Sequence, residues 1–188
     1  MSPIVKAQIL GYKINDKKLF QGISFELLRG QALHVQGENG SGKTTLLRMI
    51  CGLTKPTKGD LISLTDKEIC FIGHKNAIKQ YLNIEDNLAL MNLNKHQELD
   101  KYLSIFSLDK SLDINIANLS FGQQKKISLL RLLLNNSDLL VLDEPCVGLD
   151  IKTRGILVDF LKKELVGGKA IIYSSHILLD LNSDSLSI

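Results

Sequence analysis

A chain of 188 residues is long enough for one domain with a sizeable core and short for two. Its 44% apolar and 23% charged residues exclude disorder, collagen and a disulfide scaffold. A net charge of +3 with ten aromatics and no long basic run gives nucleic acid little to hold, so no nucleic-acid partner is expected. Cys51, Cys70 and Cys146 lack any ligand spacing and read as free thiols of a reducing compartment, without zinc. The most apolar stretches, Ile127 to Leu134 and Leu139 to Leu142, fall far short of the roughly 20 residues that span a bilayer. The start, Met1 to Lys6, leads straight into a strand pattern with no charged head or apolar signal core. Any service to a membrane is therefore expected from its cytosolic side.

In chain order, short strands are expected at Ile4–Leu10, Ile23–Leu27 and Ala32–Gln36, the last running into a glycine-rich loop. A helix over Thr44–Ile50 ends where Gly52 can take a left-handed cap. The turn at 55–59 precedes strands at Leu61–Leu64 and Ile69–Ile72. From Ile84 to about Leu108 the period turns helical, with Ile84, Leu88 and Met91 on one face and Leu99, Leu103 and Phe106 on another. Further on come a helix from Ser120 to Leu134, a buried strand Leu139–Leu142, a helix Lys152–Leu165 and a strand Ala170–Tyr173. Ile177–Leu181 reads as the start of a last helix. No terminal strand is apparent beyond it, which would leave the protein dependent on a partner for stability.

Gly37-Glu38-Asn39-Gly40-Ser41-Gly42-Lys43-Thr44 fits G-x-x-x-x-G-K-[ST] between a strand and a helix, the context a phosphate-binding P-loop requires. Glycines let backbone N–H groups turn inward on a polyphosphate, the helix N-terminus adds positive potential, and Lys43 reaches the outer phosphates. Gly37 to Thr44, with Thr45 beside them, are the candidate nucleotide contacts, and Thr44 the candidate Mg²⁺ ligand. Downstream, the apolar run Leu139–Leu142 ends in Asp143 and Glu144, the pattern of Walker B. Asp143 would stand on the metal side and Glu144 would orient or deprotonate the attacking water.

Leu119-Ser120-Phe121-Gly122-Gln123 resembles the L-S-G-G-Q signature of ATP-binding cassette (ABC) ATPases, with Phe121 in place of the first glycine. The resemblance extends to Val147-Gly148-Leu149-Asp150, similar to the D-loop, and to Ser174-Ser175-His176, similar to the switch-histidine segment. It implies an α/β P-loop NTPase fold over 1–188 as a single domain, with an antiparallel β subdomain and a helical subdomain at about 74–135. It also implies that Ser120, Gly122 and Gln123 act in trans on an ATP held by a second, head-to-tail copy. Asp150 would belong to the D-loop, and His176 would contact the γ-phosphate. ATP and Mg²⁺ would be the cofactors.

Two positions depart from the ABC pattern. Counted back from Asn83-Ile84-Glu85-Asp86-Asn87-Leu88, the Q-loop glutamine position falls on His74, and Ile14 stands where an adenine-stacking aromatic is usual. The stretch Phe71 to Lys79, with that histidine, resembles the haem exporter ATP-binding subunits of cytochrome c maturation, as do Leu19-Phe20-x-Gly22-Ile23-Ser24-Phe25 and Gly122-Gln123-Gln124. That resemblance makes His74 a catalytic candidate with Glu144 and His176, and implies an integral membrane permease as partner. It places the chain peripherally on the cytoplasmic face of the inner membrane, with an organellar matrix face as the alternative. Another small ABC transporter, or a soluble ABC ATPase of iron–sulfur assembly, would share the same motifs. His34 and His96 carry no motif and read as ordinary residues.

Overall fold

The computed structural model describes residues 2–65 and 67–188. The chain opens with a hairpin of β1 (Val5–Ile14) and β2 (Lys17–Leu27), joined by the two-residue turn Asn15-Asp16. Asn15 takes φ 54°, the left-handed conformation that tight hairpin turns demand and that asparagine tolerates. The hairpin is longer than its apolar pattern implies, because Tyr12 faces Phe20 across it and their rings stack at 6.4 Å. β4 (Lys58–Ser63) adds antiparallel to the other side of β1, giving a three-stranded sheet β2-β1-β4. It begins at Lys58 rather than Leu61 because Thr57 anchors to the Gly11 carbonyl through both its N–H and its Oγ1, each at 2.9 Å.

The second sheet is parallel, in the order β5-β6-β7-β3-β8, from β3 (Ala32–Gln36), β5 (Cys70–Ile72), β6 (Leu139–Asp143), β7 (Ala170–Ser174) and β8 (Ser183–Ser187). Its central strands are buried on both faces, as parallel strands usually are. Period-two alternation divides them between two cores. Leu139, Val141, Ala170 and Ile172 meet α1 (Lys43–Ile50) and the antiparallel sheet. Leu140, Leu142, Ile171 and Tyr173 face the helices α2 (Ile84–Leu90), α3 (Leu99–Phe106), α4 (Phe121–Leu133) and α5 (Ile151–Val166). Each fully buried leucine or isoleucine contributes roughly 1.5–3 kcal/mol, which makes the twice-covered β6 and β7 the anchor of the fold.

The helical stretch expected over 84–108 is two helices. α2 is capped by Asn83, whose side chain accepts from the Asp86 N–H at 2.7 Å, and it stops near Asn92, which has φ 57°. The helix expected to begin at Ile177–Leu181 does not form. Leu179 and Leu181 are buried while Leu178 and Asp180, the residue before each, are exposed, a two-residue alternation that suits extended chain. The chain then enters β8, which pairs in parallel with β3, so the terminal strand expected to be missing is present.

Candidate functional site

The C-terminal ends of the parallel strands meet along one sheet edge, where open α/β sheets bind ligands. β3 delivers Gly37, β5 delivers His74, β6 delivers Asp143 and Glu144, and β7 delivers Ser174 to His176. A cleft of about 530 Å³ opens there, lined by Ile14, Leu19, Val147 and the candidates Asn39, Gly40, Gly42, Lys43, Thr44, Thr45, His74, Asp143, Glu144 and His176. A larger groove of about 830 Å³ lies elsewhere, between β5 and the end of α4, and holds none of them.

The loop turns into α1 at Gly42, which has φ 110°. A β-carbon there would fall 2.8 Å from the Leu19 and Phe20 side chains, so the hairpin presses the loop closed and only glycine fits. The Lys43 ammonium donates to the carbonyls of Gly37 at 2.8 Å and Glu38 at 3.0 Å, which holds it inside the loop. Thr44 Oγ1 donates to Asp143 Oδ2 at 2.8 Å, and Ser174 Oγ donates to Asp143 Oδ1 at 2.7 Å.

Glu144 is held at φ 50°, an uncommon conformation for a residue with a side chain. Its N–H donates to the Ser174 carbonyl at 3.1 Å and lies 3.2 Å from Ser174 Oγ. The carboxylate turns toward the switch segment, where Oε2 accepts the His176 backbone N–H at 3.2 Å. The His176 imidazole Nε2 lies 3.1 Å from Asn39 Oδ1 and 3.5 Å from Glu144 Oε1. His74 is exposed at the mouth of the cleft.

Two oxygens are buried without a hydrogen-bond partner, Glu144 Oε1 within this cleft and Ser41 Oγ in the loop beside it, and a phosphorylated ligand with its cation suits them. Asp143 and Thr44 supply hard oxygen donors of the kind Mg²⁺ takes alongside phosphates. Among the described residues no group of three acidic, histidine or cysteine side chains could hold a metal unaided.

Ser120, Gly122, Gln123 and Asp150 are absent from this cleft. Ser120 caps α4 in a reciprocal box, accepting from the Gln123 N–H at 3.2 Å while its own N–H donates to Gln123 Oε1 at 2.9 Å. The half-exposed Phe121 ring covers Gly148, and Asp150 caps α5 through the Thr153 N–H at 2.7 Å while pairing with Lys126 at 3.3 Å. The signature and the D-loop are thus one surface unit. Ser174, named in the sequence only as part of the switch-like segment, also takes part in the site through its bond to Asp143. Tyr12 does not replace the missing aromatic, since its ring packs on Phe20 and does not line the cleft, whose apolar lining is Ile14, Leu19 and Val147.

A P-loop beside a strand-end acid pair, an antiparallel sheet closing over the loop and a separate glycine–serine helix start define a nucleotide-binding domain of the ATP-binding cassette type. Residues 20–147 match the family described as ABC transporter, and the chain belongs to that family, as the ATPase subunit of a transporter. It is 34% identical over 186 residues to the cytochrome c biogenesis ATP-binding export protein CcmA of Legionella pneumophila strain Lens, covering 92% of each chain. It is 35% identical over 182 residues to the protein so described in Bradyrhizobium diazoefficiens, covering 92% of this chain and 91% of that one. Among solved structures it resembles an ATP-binding subunit of an ABC transporter, with TM-score 0.79 and 23% identity over 93% of this chain and 80% of that one. It also resembles a post-hydrolysis cassette dimer bound to ADP and phosphate, with TM-score 0.76 and 24% identity over 92% and 88% of the two chains. No helix among the described residues is long and apolar enough to cross a membrane.

Proposed function

We propose that this chain powers the export step of cytochrome c biogenesis named by its relatives, hydrolysing ATP at sites shared between two copies. The observation that carries this reading is the division of the machinery. Lys43, Thr44, Asp143, Glu144 and His176 line one cleft, whereas Ser120 and Gly122 stand outside it on the same chain. Each cleft is completed when a second copy docks head to tail and presents the N-terminus of its α4 to the outer phosphate.

In that arrangement Lys43 exchanges its two carbonyl partners for phosphate oxygens, and Ser41 gains the partner it lacks. Thr44 and Asp143 hold Mg²⁺, which neutralises phosphate charge when bound. Glu144, aimed by the His176 N–H, takes the proton of the attacking water. His176 and His74 face the outer phosphate from two strand ends, and Asp150 keeps the D-loop in register with the signature. The partner in the membrane is an integral permease docked on the cytoplasmic side, and the chain as a whole works as one domain.

Glu144→Gln tests the chemistry. ATPase activity should fall about 10²- to 10⁴-fold with nucleotide binding retained, and undiminished turnover would remove Glu144 from its role. The same variant, trapped with Mg·ATP and affinity-purified from native membranes, should bring down a haem-exporter permease. Recovery of a different permease would discard the cargo, and recovery of soluble factors alone would discard transport.

A further inference from the structure

His34 belongs to no motif, yet it is buried in the middle of β3 with both ring nitrogens engaged. Its ring lies flat on Tyr173, with centroids 4.5 Å apart and planes at 6°. Nε2 is 3.0 Å from the Ser175 carbonyl and Nδ1 is 3.0 Å from the Gln36 side-chain nitrogen. A carbonyl oxygen only accepts, so Nε2 carries a proton and donates to Ser175.

The bond to Ser175 has a particular place in the fold. The parallel ladder between β3 and β7 ends at the pair Val35 and Ser174, and from Ser175 onward the chain leaves the sheet. The Ser175 side chain is occupied locally, donating to the Ile177 carbonyl at 2.7 Å and accepting the Ile177 N–H at 3.1 Å. His34 thus supplies the next rung after the ladder stops. The residue after that rung is His176, whose N–H orients Glu144 and whose imidazole faces Asn39 of the P-loop. A cavity of about 290 Å³ lined by His34, Gly37, Lys43, Ser175 and His176 joins the tether to the loop.

We infer that His34 is a positioning residue that holds the switch segment at its first step beyond β7, fixing where His176 and Glu144 stand. This rests on the roles proposed above for those two residues. An aliphatic side chain would fill the same core volume but leave the Ser175 carbonyl without this donor, and a shift there passes directly to the His176 N–H.

The test uses the full chain and two substitutions. His34→Phe keeps a ring on Tyr173 and removes the donor, whereas His34→Gln returns an N–H to about the place of Nε2. Steady-state ATPase kinetics, equilibrium binding of ADP, melting temperature and hydrogen exchange of residues 174–179 are measured side by side. His34→Phe should lower kcat about 10- to 100-fold, as small misplacements of catalytic groups do. KM and ADP affinity should stay unchanged, and exchange should quicken in 174–179 but not in the P-loop. His34→Gln should recover most of both losses. Wild-type kcat and exchange in His34→Phe would overturn the inference, as would equal losses of kcat, affinity and melting temperature in both variants, the mark of a packing role. If the wild-type chain shows no ATPase activity, the functional reading fails, and the exchange of 174–179 still decides whether the tether exists.

Discussion

Glu144 combines a place in the cleft with a backbone conformation that side chains resist. At φ 50° it stores strain of a kind worth about 1–3 kcal/mol, opposed by its backbone bond to Ser174. Glycine carries no such penalty, so Glu144→Gly should be more stable than Glu144→Ala by about 1 kcal/mol in urea denaturation. Equal midpoints would show that the strain is not there. Asp150 makes a pH-dependent contribution. The Thr153 N–H, followed by Lys126, lowers its carboxyl to about 2. Its contribution to stability is therefore complete above about pH 4, the ordinary range for aspartate, and is lost as pH falls toward 2. Asn is an equally good cap, so Asp150→Asn should match wild type at about pH 2 and below, and fall progressively behind it as pH rises from 2 to 4. The thiols follow the same logic in the opposite direction. Burial pushes Cys51 up to about 12 and Cys70 to about 11, so Ellman's reagent at pH 8 should titrate neither until the chain is unfolded. At this scale, the gathering of Lys43, Thr44, Asp143 and Glu144 at one cleft was legible because they lie in contiguous motifs. The contact of Ser174 with Asp143 and that of His34 with Ser175 were not, because they depend on which strand lies beside which.

The signature helix and the D-loop meet through a substitution visible in the sequence, although its consequence was not. Phe121 stands where the ABC signature has glycine, and its ring lies over Gly148, which has φ 79°. A β-carbon on Gly148 would collide with that ring. Gly148→Ala should therefore be destabilising for two reasons, and adding Phe121→Ala should relieve only the steric one. The double variant should remain about 1 kcal/mol below Phe121→Ala alone, the cost of a left-handed alanine. Full rescue would mean that the backbone carries no strain there. The capping box at Ser120 sets the same helix start, and Ser120→Ala should lower stability by about 1 kcal/mol in addition to any effect on turnover. Elements were legible where apolar period was strong, as in β6, β7 and α4. β8 was not, since Ser183-Asp184-Ser185-Leu186-Ser187 has little strand propensity and is specified by the open edge of β3. Leu179 and Leu181, two apart, reach the core only in an extended chain, so reading 177–181 as helix took the wrong period.

The two cores are opposite faces of the same strands, and this decides how the molecule should unfold. Val141 and Ile172 belong to the core under α1, while Leu140, Leu142 and Ile171, their neighbours in sequence, belong to the helical core. α2, α3 and α4 therefore cannot detach without stripping one face of β6 and β7, nor can the antiparallel sheet without stripping the other. Differential scanning calorimetry should show one transition, with calorimetric and van't Hoff enthalpies in agreement. Two resolved peaks would divide the chain at the helical insert. Nucleotide should raise that transition as a unit, because the P-loop spans β3 and α1 while Asp143 and His176 follow the paired strands. Mg·ATP at about 100-fold above its Kd stabilises by about 2.7 kcal/mol, or about 5–10 °C for a chain of this length. Lys43→Ala should abolish the shift while leaving the apo transition intact, and a shift that survives it would move the phosphate site away from the P-loop.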